Sequence, residues 1–132
     1  MLDDSPVLYL ARRDAYAAFL AAADAEAHVA WFRVDGRYAD EVTAVAAVDR
    51  AYAVTRGAFA VIEVEGVGPV REGSVLLDGL AALHRDAGAR PDWKAFKAAR
   101  EDFVAAARAA LQGLRDGQSQ PRIVTDGGAD AR

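Results

Sequence analysis

The segment from Asp92 to Arg115 constrains this chain more than any other. Trp93, Phe96, Phe103, Val104, Ala107, Leu111 and Leu114 recur at helical spacing, so at roughly 100° per residue they share one arc. Lys94, Ala98, Glu101, Asp102, Ala105, Arg108 and Gln112 cover much of the other side. Pro91 stops an earlier helix from running in, Asp92 can cap the first free N–H groups, and Gly117 stands where a left-handed residue commonly closes a helix. A helix this amphipathic must lay its apolar face on other elements. One residue interrupts that face: Arg100 falls inside the arc.

What the face can pack against depends on composition. The chain has 132 residues, enough for one domain with a core. Alanine is about a quarter of the residues, which favours helices but buries little area per side chain. A short list of large residues must therefore fill the core, with Trp31, Trp93 and the Phe and Tyr residues expected to close the gaps.

The preceding segments alternate in character. From Pro6, Leu8, Tyr9, Tyr16, Phe19, Leu20 and Ala23 share a helical face that Arg12 interrupts; the alternative makes Val7 to Leu10 a short strand. His28 to Val34 is β-branched and aromatic before an Asp35-Gly36 turn, and predicts a strand covered on both sides. Asp40 to Arg56 predicts a second helix ended by Gly57, with Tyr38, Val42, Val45, Val48 and Tyr52 as its stripe and Asp49 inside that stripe. Ala58 to Gly66 alternates Ala60, Ile62 and Val64 with Val61, Glu63 and Glu65, and predicts the strongest strand. A turn-rich loop, Gly66 to Gly73, leads to a helix capped by Ser74, lined by Leu76, Leu80, Leu83 and Ala87 and ended by Gly88. That helix and the long one form an antiparallel hairpin. The expected fold is a small single α+β domain over residues 1–116. It holds a short sheet of two to four strands flanked by helices, with the C-terminal antiparallel helical hairpin and a disordered tail at 117–132. A sheet that short exposes its edges, which favours a homodimer.

Several kinds of chemistry are excluded. Without cysteine there are no disulfides, thiolate zinc sites or thiol nucleophiles. No GxxxxGK[ST], GxSxG or HExxH pattern occurs, and Pro69 spoils Gly66-Val67-Gly68 as a phosphate cradle. The two histidines, His28 and His84, are far apart, and His84 on the edge of a leucine stripe reads as a structural residue. Glu63 and Glu65 would point the same way from a strand, but on an exposed face such carboxylates are ordinarily just solvated. No metal and no cofactor is expected. The formal charge of −4 offers no concentrated positive field for nucleic acid, the net +3 of residues 90–115 notwithstanding. No apolar run reaches the roughly 18 residues of a membrane span, and the acidic Met1-Leu2-Asp3-Asp4 differs from a secretory signal. The cytoplasm of a bacterium with a GC-rich genome is the expected setting, given abundant Ala, Arg, Gly and Val but only two lysines.

Arg12, Asp49 and Arg100 remain, each a charge within an apolar arc. A buried charge must pair, reach water or face a polar cavity. If Asp49 and Arg100 paired in the core, cutting either to alanine would cost about 3–5 kcal/mol. If these residues converged beside Trp31, they would line an inter-helix pocket that holds an anionic group through Arg100. Two functions follow. The first is a non-catalytic interaction or regulatory protein that binds a protein partner or itself, as immunity and antitoxin proteins of this size and charge do. The second is a small-molecule-binding protein or enzyme built on Arg12, Trp31, Asp49 and Arg100.

Overall fold

The computed structural model describes residues 5–85 and 91–119. They form four helices: α1 (Ser5–Val34), α2 (Glu41–Glu65), α3 (Val70–Arg85) and α4 (Trp93–Ser119). Among the described residues there is no strand, so the α+β expectation is overturned in favour of a helical bundle. The argument for a homodimer from exposed sheet edges falls with it.

Both expected strands are the C-terminal ends of long helices. Between Pro6 and Gly36 there is neither glycine nor proline, so the helix nucleated in the alanine-rich stretch has nothing to stop it before Asp35-Gly36. The β-branched and aromatic residues of His28–Val34 cost only tenths of a kcal/mol each in a helix, about the size that cooperative extension overrides. There they form an i, i+3, i+4 aromatic cluster: ring centroids are 6.3 Å apart for His28 and Trp31 and 4.4 Å for His28 and Phe32. In the second case Phe59 and Ile62, three residues apart, are the buried positions, which is helical spacing. Gly57 lies inside α2, and Gly66 (φ 73°) ends it by donating its N–H to the Ile62 carbonyl. The first turn of α2 is capped by Asp40, whose carboxylate accepts from the Thr43 N–H at 2.7 Å.

Other boundaries move less. The helix expected from Pro6 is present from Ser5, and Asp92 caps the last helix by accepting from the Ala95 N–H at 2.9 Å. Helix α3 begins at Val70, ahead of the expected Ser74, and its expected end at Gly88 lies outside the described residues. Gly117 does not end α4, which continues to Ser119; residues 120–132 lie outside the described residues.

α1 is the central element. It packs along α2 and touches both α3 and α4, whereas α2 and α3 meet only sparingly. At the middle, Phe19 is fully buried between Phe59 of α2 (centroids 5.2 Å) and Phe103 of α4 (5.1 Å). Leu76, Leu77, Leu80 and Leu83 of α3 and Phe96 of α4 complete the core. Alanine determines which face of α2 turns inward. Its buried residues are Ala44, Ala47, Thr55, Phe59 and Ile62, laid against α1, where Thr55 reaches Ala22 and where Ala22 and Ala25 line a groove with Ala47 and Ala51, so two helices with small side chains pack together. Thr55 is fully buried and shares its hydroxyl between the carbonyls of Ala51 (2.9 Å) and Ala22 (3.2 Å). Val42, Val45, Val54, Val61 and Val64 of α2 consequently point outward, largely the reverse of the stripe expected from side-chain size.

Candidate functional sites on the second helix

The residues singled out in the sequence do not converge. Arg12 sits near one end of α1, donating from Nε to Glu65 Oε1 at 3.0 Å. Trp31 lies 19 residues further along the same helix, roughly 28 Å away at 1.5 Å per residue. It is 41% exposed, with the Arg37 guanidinium 5.0 Å from its ring centroid. Asp49 is on the outward face of α2. Arg100 pairs with Asp24 of α1, donating from Nε at 2.7 Å and from Nη2 at 2.9 Å. Those bonds, more than the partial burial that opposes them, hold the guanidinium charged beyond its ordinary tendency. The buried face of α4 runs through Phe96, Ala99, Phe103 and Ala107, which leaves Arg100 at its edge.

Two features take their place, both involving α2. The first is its outward strip. Val42, Ala46, Asp49, Ala53, Gly57, Ala60 and Val64 follow one another by three or four residues and all are exposed. Val42 keeps 80% of its surface in water and Val64 87%. A β-carbon at Gly57 would meet nothing within 4 Å, so no contact among the described residues calls for that mid-helix glycine.

The second is a cleft of about 220 Å³ where α2 and α3 part. On its floor Glu26 of α1 is only 2% exposed, and its Oε2 shares a hydrogen bond of 3.0 Å with His84 Nε2. Val48, Tyr52 and Arg56 come from α2, and Leu77, Leu80 and Ala81 from α3. Arg56 lies over Tyr52, its Cζ 5.0 Å from the ring centroid. A carboxylate orienting an imidazole is part of a familiar acid–base apparatus. Here Nε2 is occupied by Glu26, and Nδ1 is buried without a hydrogen-bond partner among the described residues. Neither ring nitrogen is left to serve a substrate in the cleft, and no Ser, Thr or Cys lines it.

Glu26 escaped the sequence reading because the stripe of the first helix was followed only to Ala23. Extended to Val34, α1 places Glu26 on the arc of Phe19, Ala23 and Ala30, where a carboxylate stands out. Glu63 and Glu65 are both exposed on α2 and, two residues apart on a helix, diverge. Among the described residues no cluster of three or more His, Cys, Asp or Glu side chains could hold a metal ion, and no helix is long and apolar enough to cross a membrane.

These residues define an all-helical four-helix bundle with an unpartnered helix face and a polar-floored cleft. No family model, curated protein or solved structure matches the chain.

Proposed function

We propose that this is a non-catalytic interaction protein of the bacterial cytoplasm that docks through the outward strip of α2, and that its partner there is a second copy of the chain. The observation that carries this reading is the order of residues along the strip: Val42, Ala46, Asp49, Ala53, Gly57, Ala60, Val64. About Ala53 it is nearly palindromic in both spacing and size. A two-fold interface requires one patch to complement itself, residue i meeting residue j and j meeting i. Antiparallel pairing about Ala53 sets Val42 against the other copy's Val64 and Ala46 against Ala60. Asp49 then meets the gap at Gly57. Small residues allow the backbones to approach, and valines at both ends cover the seam. A helix that is apolar on its inner and outer faces alike is ordinarily buried on both. The lack of cysteine suits a reducing compartment.

Sedimentation equilibrium across a concentration series tests the reading. Wild type should be dimeric at micromolar concentration. Ala53→Glu, which places two carboxylates on the axis, should be monomeric with an unchanged circular dichroism spectrum, while Val75→Glu on the exposed side of α3 should remain a dimer. A wild-type protein that stays monomeric throughout the series, or an Ala53→Glu protein that dimerises as wild type does, refutes it.

A further inference from the structure

We infer that the cleft between α2 and α3 binds a small zwitterion, an aliphatic α-amino acid, with its ammonium group on Glu26 and its carboxylate on Arg56. The floor determines one end of the ligand. A carboxylate has about four lone-pair sites, and among the described residues the Glu26 side chain has one hydrogen-bond partner, His84, so it offers a buried acceptor. A group that satisfies it must donate, and a cation does so with most gain where water is excluded. His84 is the positioning residue: bonded through Nε2, it holds the carboxylate at the base of the cleft.

The wall determines the other end. Arg56 is the one arginine or lysine lining the cleft, and it makes no ion pair among the described residues. Its guanidinium presents a planar fork that matches a carboxylate. A simple anion would be opposed by Glu26 and a simple cation by Arg56. A molecule carrying both charges meets each with its opposite. Val48, Leu77 and Leu80 give the remaining wall an aliphatic character. The volume, about 220 Å³, is below the roughly 300–1,000 Å³ of pockets that hold drug-sized ligands, which points to a single amino acid.

The test is a titration of the ¹⁵N-labelled full chain, following the amide signals of Tyr52, Leu80 and His84. Three probes separate the two charges: L-leucine, isoamylamine (the same body without the carboxylate) and 4-methylpentanoate (without the amine). Leucine should give saturable shifts at millimolar concentration and bind roughly tenfold more tightly than either analogue, the effect of one charge-assisted bond. Glu26→Gln, which keeps the shape and an oxygen for His84, and Arg56→Gln, an exposed change that leaves the core intact, should each weaken leucine by about the same factor. No saturable shift with leucine overturns the proposal. So does equal affinity for leucine and isoamylamine together with an Arg56→Gln protein that binds leucine as wild type does.

Discussion

A β-carbon added at Gly73 would stand 2.5 Å from Cε1 of Phe59 and 3.4 Å from Cε2 of Phe19. Helix α3 therefore reaches the aromatic centre of the bundle only because residue 73 has no side chain. The phenylalanine it would strike is buried and packed at a tilt against Phe19, with ring centroids 5.2 Å apart, so neither ring moves without disturbing the other. Gly73→Ala should destabilise the protein by about 1–3 kcal/mol in urea unfolding, the usual range for overpacking a core. Gly57→Ala, in a helix with open space around it, should instead stabilise the isolated chain by about 0.5–1 kcal/mol. If both substitutions shift the midpoint in the same direction, the packing described around Gly73 is wrong.

Arg100 and Asp24 form a two-pronged pair, but their side chains remain 37% and 46% exposed. Water screens such a pair, and a double-mutant cycle between them should give a coupling of about 0.5–1 kcal/mol that shrinks in high salt. The cycle between Arg100 and Asp49 should give none. A loss of about 3–5 kcal/mol on cutting Arg100 alone, as a buried pair would produce, contradicts the exposed geometry.

Tyr16 carries a buried hydroxyl with no hydrogen-bond partner among the described residues. Burial raises its pKa above the usual value of 10.0, an effect to which Glu65 adds and which Arg12 opposes. A phenol whose folded pKa is raised binds its proton more tightly in the native state. Its contribution to stability is then complete below the unfolded pKa and is lost as pH rises through the folded one. Tyr16→Phe should be neutral or stabilising by about 1 kcal/mol at pH 7, because an unsatisfied group is removed. The variant should also unfold less readily than wild type in the alkaline range above pH 10. Thermal melts at neutral and alkaline pH measure both effects.

Glu26 and His84 tie α1 to α3 at the floor of the cleft. Removing only one strands the other where it is largely buried, so Glu26→Leu or His84→Leu should each cost about 3 kcal/mol. The double replacement should recover most of that loss, since two apolar side chains of suitable volume leave nothing unsatisfied. Chemical denaturation of the three variants decides it: strictly additive losses would mean the two groups are not coupled.

Asp40 provides a pH-dependent cap. Hydrogen bonds from the Thr43 backbone and side chain, the largest influences upon it, lower its pKa. A lowered folded pKa gives stability that is present above the unfolded value and is lost as pH falls through the folded one. Asp40→Asn keeps an acceptor for the Thr43 N–H without that titration, so the gap between it and wild type should narrow in acid. A gap that is independent of pH below neutrality speaks against a charged cap.

The sequence by itself determined the elements whose signals are local. The amphipathic period and the Asp92 cap mark α4, as the Asp40 cap marks the start of α2, and the antiparallel relation of the last two helices follows from the short connection between them. Composition alone excluded thiol chemistry. Tertiary structure decided the rest, for two physical reasons. Short β-branched runs at His28–Val34 and Ala58–Gly66 fit a strand or the end of a helix equally well, and only the continuous helices behind them select between the two. Which face of an alanine-rich helix is buried depends on how closely its neighbour approaches. In α2 that neighbour, α1, is itself rich in alanine, so the small residues turn inward, and Val42 and Val45, which looked like core, face water. The same inversion put Asp49 outside, while packing elsewhere left Arg100 at an edge beside Asp24 and made Glu26 the acidic side chain that the core retains.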